Sequence, residues 1–190
     1  MISIHHELHK TRNIIDEIIS SADLTKKIEQ IAKVCEIALR GGHKIIFCGN
    51  GGSAADSQHL AAELVGKLNF DRSGLAAIAL TTDTSSLTAI GNDYGFENVF
   101  SRQLAAVGQK GDVLIAISTS GNSANIINAI TVARARGITT IGKTGERGGK
   151  MADICDITIK VPSDSTQKIQ ECHMILGHIY CGMIEERMFK

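Results

Sequence analysis

A chain of 190 residues with 43% hydrophobic content can bury a full core, and one domain with an added helical segment is expected rather than two domains. Its 20 basic and 20 acidic side chains cancel, and no stretch gathers Lys and Arg into a patch, which argues against nucleic-acid or anionic-membrane partners. An anionic ligand would have to be held locally. The longest apolar runs, such as Val113 to Ile117, fall far short of the roughly 20 residues a bilayer span requires. His5, His6, Glu7, His9 and Lys10 occupy the place where the apolar stretch of a signal peptide would begin, so a cytoplasmic location is expected. The five cysteines, Cys35, Cys48, Cys155, Cys172 and Cys181, include no C-x-x-C pair and read as reduced core residues.

In chain order, helical spacing appears first in Ile14, Ile15, Ile18 and Ile19. It returns in Ile28, Ile31, Val34, Cys35, Ala38 and Leu39. Asp23 is a candidate cap for the second helix, and Gly41-Gly42 can end it. Two helices ahead of the first strand, over about residues 1–42, would flank a sheet or pack against another subunit. From Lys44 onward short apolar runs alternate with helical segments: Ile45 to Phe47, Ala76 to Leu80, Val113 to Ile117, Thr139 to Ile141, and Ile157 to Val161. That texture predicts an α/β fold, a doubly wound, five-stranded parallel sheet with helices on both faces. A last helix is expected from about Ser165 to near Phe189.

Ligands of such sheets bind at the carboxyl ends of the strands, where loops expose N–H groups at helix starts. The first strand ends in Gly49-Asn50-Gly51-Gly52-Ser53, and the third in Ser118-Thr119-Ser120-Gly121-Asn122-Ser123. Hydroxyls and amides without an obligatory lysine suit a phosphate monoester, and the absence of G-x-x-x-x-G-K-[ST] argues against an ATP-binding loop. Glycines in a single such loop can be purely conformational. Both loops together carry the phosphate reading.

These loops belong to a wider resemblance over nearly the whole chain. It is carried by Gly49 to Ser53, Gln58-His59 with Ala61-Ala62-Glu63, Gly91 to Phe96, Ser118 to Ser123, and Ile169-Gln170-Glu171 with His178. In these motifs the chain resembles the sugar isomerase (SIS) domain family, and within it the members that isomerise sedoheptulose 7-phosphate. The resemblance implies a flavodoxin-like SIS fold over residues 1–190 and a homotetramer with its active site at a subunit interface. It also implies production of D-glycero-D-manno-heptose 7-phosphate, the first step of ADP- or GDP-heptose biosynthesis for lipopolysaccharide core or capsule.

Moving a carbonyl between C1 and C2 of a sugar requires a proton to leave one carbon, an enediol, and a proton to return to the other. His59 and Glu63 are four residues apart and share a helix face, as His and Glu at that spacing often do on a merely solvated face. Gln170 and His178 are eight residues apart, roughly 12 Å along a helix axis at 1.5 Å per residue. By themselves they could equally be a surface amide and a core histidine among Ile175, Ile179 and Cys181. The resemblance implies that His59, Glu63, Gln170 and His178 bind one Zn²⁺ per subunit, with Glu63 as general base and His178 as general acid. A carboxylate held on zinc is a poor base, so at least one ligand would have to loosen when substrate arrives. The resemblance further implies substrate contacts from Asn50, Gly51, Gly52, His59, Glu63, Asn92, Asp93, Ser118, Thr119, Ser120, Ser123 and Gln170. Ser53 joins them from its place in the loop.

Other features have plain readings. His5, His6 and His9 form a solvated helix start, His43 and His173 are structural, and Asp83 caps the helix after the second strand. The chain departs from the family pattern at Lys67 and Lys168, where arginine is common, and at Lys143, near the end of a strand where an apolar residue is usual. Two other classes of function remain open. A non-enzymatic branch of the family is a tetrameric scaffold for the bacterial replication initiator, and typically lacks the glutamate and the last-helix histidine that stand here as Glu63 and His178. A sugar-phosphate sensor would need the serine loop alone, normally with a DNA-binding domain for which this length leaves no room.

Overall fold

A computed structural model describes residues 3–190. Two helices come first, α1 (Ile4–Ser20) and α2 (Ala22–Arg40). Then follow β1 (Ile45–Gly49), α3 (Gly52–Val65), β2 (Ala77–Ala79), α4 (Thr84–Tyr94), a 3₁₀ turn (Phe96–Asn98) and α5 (Val99–Val107). The chain continues through β3 (Val113–Ile117), α6 (Ala124–Ala135), β4 (Thr139–Gly145), α7 (Met151–Ile154), β5 (Ile157–Val161) and α8 (Thr166–Phe189). The five strands are parallel in the order β2-β1-β3-β4-β5, the flavodoxin-like order, so the doubly wound expectation holds.

Successive strand residues point to opposite faces, and each face has its own core. Ile45, Phe47, Ile115, Ile117, Ile141 and Ile159 pack against α2, α3 and α8. Ile46, Cys48, Leu114 and Ala116 pack against α5 and α6. The N-terminal helices divide their labour. Helix α2 buries Leu24, Ile28, Ile31 and Cys35, whereas α1 buries Ile14 and leaves Ile4, Leu8 and Ile19 exposed. Ser21, not Asp23, caps α2. Its hydroxyl accepts from Leu24 N at 3.3 Å, and Asp23 pairs instead with Lys27 at 2.7 Å. Asp83 does cap α4, accepting from Ser86 N at 3.0 Å. Among the described residues no helix is long and apolar enough to cross a membrane.

Strand β4 runs to Gly145, four residues past the apolar stretch that marks it in the sequence, because Lys143 keeps extended pairing while fully buried. Beside it, His173 of α8 is also fully buried, its Nε2 at 3.3 Å from the Thr144 carbonyl and its Nδ1 without a partner. Burial, reinforced by the charge of Lys143, pushes this imidazole down to about 3. The unfolded chain therefore binds a proton below pH 6.5 that the folded chain refuses, and stability falls as pH drops from there toward 3. For one such group the loss between pH 7 and 5 is about 2 kcal/mol. Urea unfolding at both pH values should show that loss, and a His173→Gln variant should lack this part of it. An identical pH dependence in the variant would remove His173 as the cause.

Candidate functional site

The strand order reverses between β1 and β3, and the two unusual loops meet there because each follows one of these strands. Asn50 of the first loop and Asn125 at the start of α6 exchange a reciprocal pair of amide hydrogen bonds, both 2.9 Å. Neither α3 nor α6 has a side-chain cap, which leaves their first-turn N–H groups for water or an anion. Ser118, Ser120 and Ser123 turn their hydroxyls toward one another, Ser118 Oγ lying 3.1 Å from Ser123 and 3.5 Å from Ser120. The turn between them depends on Gly121 at φ 66°, where any Cβ would run into the Gly148 carbonyl. A cavity of about 270 Å³ opens beside this loop, lined by Thr119, Ser120, Asn122, Glu146, Arg147 and Ser163.

Helix α3 grows out of the glycine loop and packs along α8, with the backbones close where Gly177 meets Leu60. Gly52, Asp56, His59 and Glu63 follow one another at spacings of four, three and four, so they share the face turned to this seam. At one end of it the Gln170 amide lies against Gly52, in space a Cβ would fill. At the other, His59 Nε2 lies 2.9 Å from His178 Nε2 and 3.1 Å from Glu63 Oε1. The rings meet edge to face, with centroids 5.1 Å apart at 77°. The three donor atoms lie within 4.8 Å of one another. Two imidazole nitrogens so close hold one proton between them or share a cation, since two N–H groups cannot point at each other. His178 is only partly buried and is flanked by exposed Ile175 and Ile179, so it is not a core histidine.

The remaining residues singled out in the sequence are placed as follows. Ser53 is buried on the first turn of α3, its N–H donating to Asn50 O at 3.0 Å, and Gly51 is the N-cap of that helix. The Thr119 carbonyl accepts from Gly145 N at 3.0 Å, tying the serine loop to the end of β4. Asn92 and Asp93 sit at the exposed end of α4 and bond to each other at 2.7 Å. Among the described residues neither shares a hydrogen bond with the triad or the serine loop. Lys168 is engaged with Glu171 at 3.2 Å. The histidines of the N-terminus lie on the exposed start of α1.

The sequence reading left out two residues beside these loops and this seam. Asp56 is buried with its Oδ2 unpartnered, and its helical spacing from His59 and Glu63 was the signal available. Burial pushes its carboxyl up, opposed by the charges of Lys143 and His59. Asn125 was marked by nothing beyond its place two residues after Ser123.

An open parallel sheet with a hydroxyl-rich loop at its switch point and a His–Glu–His cluster beside it is the arrangement of a SIS domain. The chain belongs to the SIS domain family, whose model matches residues 8–145. Within that family its relatives include phosphoheptose isomerases. It is 54% identical over 186 residues to the phosphoheptose isomerase of Sulfurimonas denitrificans, covering 98% of this chain and 95% of that one. It is 51% identical over 187 residues to that of Aneurinibacillus thermoaerophilus, covering 98% and 94%. The solved structure of phosphoheptose isomerase GmhA from Neisseria gonorrhoeae superposes with a TM-score of 0.90 at 45% identity, over 96% of this chain and 97% of that one.

Proposed function

We propose that this chain is an aldose–ketose isomerase that converts D-sedoheptulose 7-phosphate to D-glycero-D-manno-heptose 7-phosphate in the cytoplasm. The observation that carries this reading is the meeting of His59, Glu63 and His178 at the mouth of the α3–α8 seam, in a chain about half identical to named phosphoheptose isomerases. The scaffold alternative is not favoured, since the glutamate and histidine it typically lacks are the two groups that converge here with His59.

In this reading the serine loop, with Ser53 and the open starts of α3 and α6, holds the phosphate, and Asn50, Gly51, Gly52, Asn92, Asp93 and Thr119 contact the sugar. That fixes C1 and C2 beside Glu63 and His178. Glu63 removes a proton from C1 while His178 donates one to the C2 oxygen, giving the enediol. His178 then takes the proton from the C1 hydroxyl, and Glu63 returns its proton to C2. Both groups end as they began.

The donor set suits a divalent cation. Two imidazole nitrogens and a carboxylate oxygen are zinc ligands, and their 2.9 and 3.1 Å separations are a few tenths shorter than the roughly 3.3 Å between ligands of a tetrahedral zinc. His59, Glu63 and His178 would hold Zn²⁺, which when bound would polarise the sugar carbonyl, and Gln170, which lies at the Gly52 end of the seam, would have to swing toward them to be a fourth ligand. Glu63 can serve as base only once its oxygen is released. Exposed Ile175 and Ile179 flank His178, and with Ile4, Leu8 and Ile19 of α1 they offer the apolar surface for a homotetramer with the active site at a subunit interface.

The test is conversion of sedoheptulose 7-phosphate by the purified protein, followed by NMR, before and after chelation. Turnover should fall at least tenfold on metal removal and return with added zinc, in keeping with several kcal/mol of charge stabilisation. Conversion indifferent to chelator and zinc would remove the metal. No conversion under any condition would remove the substrate.

A further inference from the structure

Lys143 stands on β4, between β3 and β5, in register with Ile117 on one side and Ile159 on the other. Its side chain points into the core shared with α2, α3 and α8 and has no exposed surface. Burying an ammonium among isoleucines is costly unless it is hydrogen-bonded and paired with a charge. Its two acceptors are both uncharged and both on α8: the His173 carbonyl at 2.7 Å and the Tyr180 hydroxyl at 3.4 Å. The next residue, Thr144, accepts from the His173 ring at 3.3 Å. Two consecutive residues of one strand therefore grip α8 at two points, five residues before His178 and two after it.

The charge has a counterpart on α3. Asp56 is buried on the seam face one turn ahead of His59, with one carboxylate oxygen unpartnered. The groups that accept from the Lys143 ammonium are thus the His173 carbonyl and Tyr180 hydroxyl of α8, while the charge of Asp56 on α3 acts on it without a direct ion pair. The ammonium is fully buried and the Asp56 side chain nearly so, behind the seam between the two helices that carry the triad. An apolar residue at position 143 would fill the space but would give up both bonds to α8, leaving only the one between the His173 ring and the Thr144 carbonyl.

We propose that Lys143, with Asp56, is a positioning residue for the acid–base site: it pins α8 to the end of β4 and so fixes where His178 meets His59 and Glu63. Its catalytic consequence rests on the isomerase reading above. Lys143 touches no substrate in this arrangement and acts only through the placement of α8.

The experiment compares the full-length wild type, Lys143→Met, and Lys143→Met with Asp56→Asn, which removes both buried charges together. Thermal unfolding, steady-state isomerisation of sedoheptulose 7-phosphate, and the ¹⁵N resonances of the His59 and His178 rings are read for each. The expected result is cooperative unfolding, a KM within about twofold of wild type because the phosphate loops are untouched, a kcat lower by on the order of 10-fold to 100-fold, and shifted ring resonances. A folded variant with wild-type kcat and unmoved ring resonances would overturn the proposal. Where the single variant fails to fold, the charge-neutral double variant decides. Where neither folds, Tyr180→Phe removes one grip and leaves the other, and its kcat should fall at constant KM; an unchanged kcat counts against the proposal. If the wild type itself turns over no sugar phosphate, the isomerase reading falls and the ring resonances alone decide the positioning.

Discussion

Replacing Glu63 by Gln, or His178 by Gln, should each lower isomerase turnover on the order of 10²-fold to 10⁴-fold, the range expected when one partner of a proton-transfer pair is lost. Neither change should unfold the chain. Glu63→Gln keeps the side-chain volume, and the Glu63 carbonyl stays fixed by Arg72 Nη2 at 2.8 Å. His178 sits at the mouth of the seam rather than in a core, so its replacement opens no cavity of consequence. KM should change little, since the hydroxyls assigned to the phosphate belong to a different loop. The two variants should part in isotope exchange: Glu63→Gln should lose exchange of the C1 hydrogen with solvent deuterium, while His178→Gln should retain more of it than of net conversion. The double variant should be scarcely worse than Glu63→Gln, because groups that act as a unit do not add. Turnover within tenfold of wild type in either folded variant would take that residue out of the chemistry.

The sheet was legible because each strand carries its own signal. Val113 to Ile117 is an unbroken apolar run, as a strand covered on both faces demands, and it is buried at every residue. The exception was β4, where the lysine that interrupts the apolar pattern is held by acceptors on α8, from a segment of chain 30 residues away. No local rule finds such a partner. The capping of α2 failed for a related reason. Ser21 and Asp23 are both good caps, and the choice was decided by where α1 ends. Much of the candidate site was legible as well, since His59 and Glu63 share one helix face and the serine loop is written in consecutive residues. What spacing could not supply was the meeting of His59 with His178, 119 residues apart, which only the packing of α3 on α8 creates. The same packing turned Gln170 toward Gly52, where the glycine serves close approach rather than a turn.

Glu185→Ala should cost about 3–5 kcal/mol of stability, the range for breaking a fully buried ion pair from one side. Glu185 has no exposed surface, and its carboxylate accepts from Leu68 N at 2.9 Å, Asn69 N at 2.8 Å and Arg72 Nε at 3.0 Å. Arg72 in turn donates to the carbonyls of Leu64, Gly66 and Ser73 as well as Glu63, so one arginine closes the loop between α3 and β2 onto α8. Removing the carboxylate orphans two backbone N–H groups and leaves a guanidinium buried without its counter-charge. Gln is only a partial rescue, because its one oxygen still accepts while its NH₂ turns toward donors. A chain of this size should lose roughly 10 °C in Tm, measured by calorimetry, with Glu185→Gln falling between Ala and wild type. The damage should also reach the site, because Arg72 holds the carbonyl of the residue proposed as base. At temperatures where Glu185→Ala is still folded, kcat should drop while KM holds. A variant that melts like wild type would mean that the buried pair gives the fold nothing beyond what water at an open loop could supply.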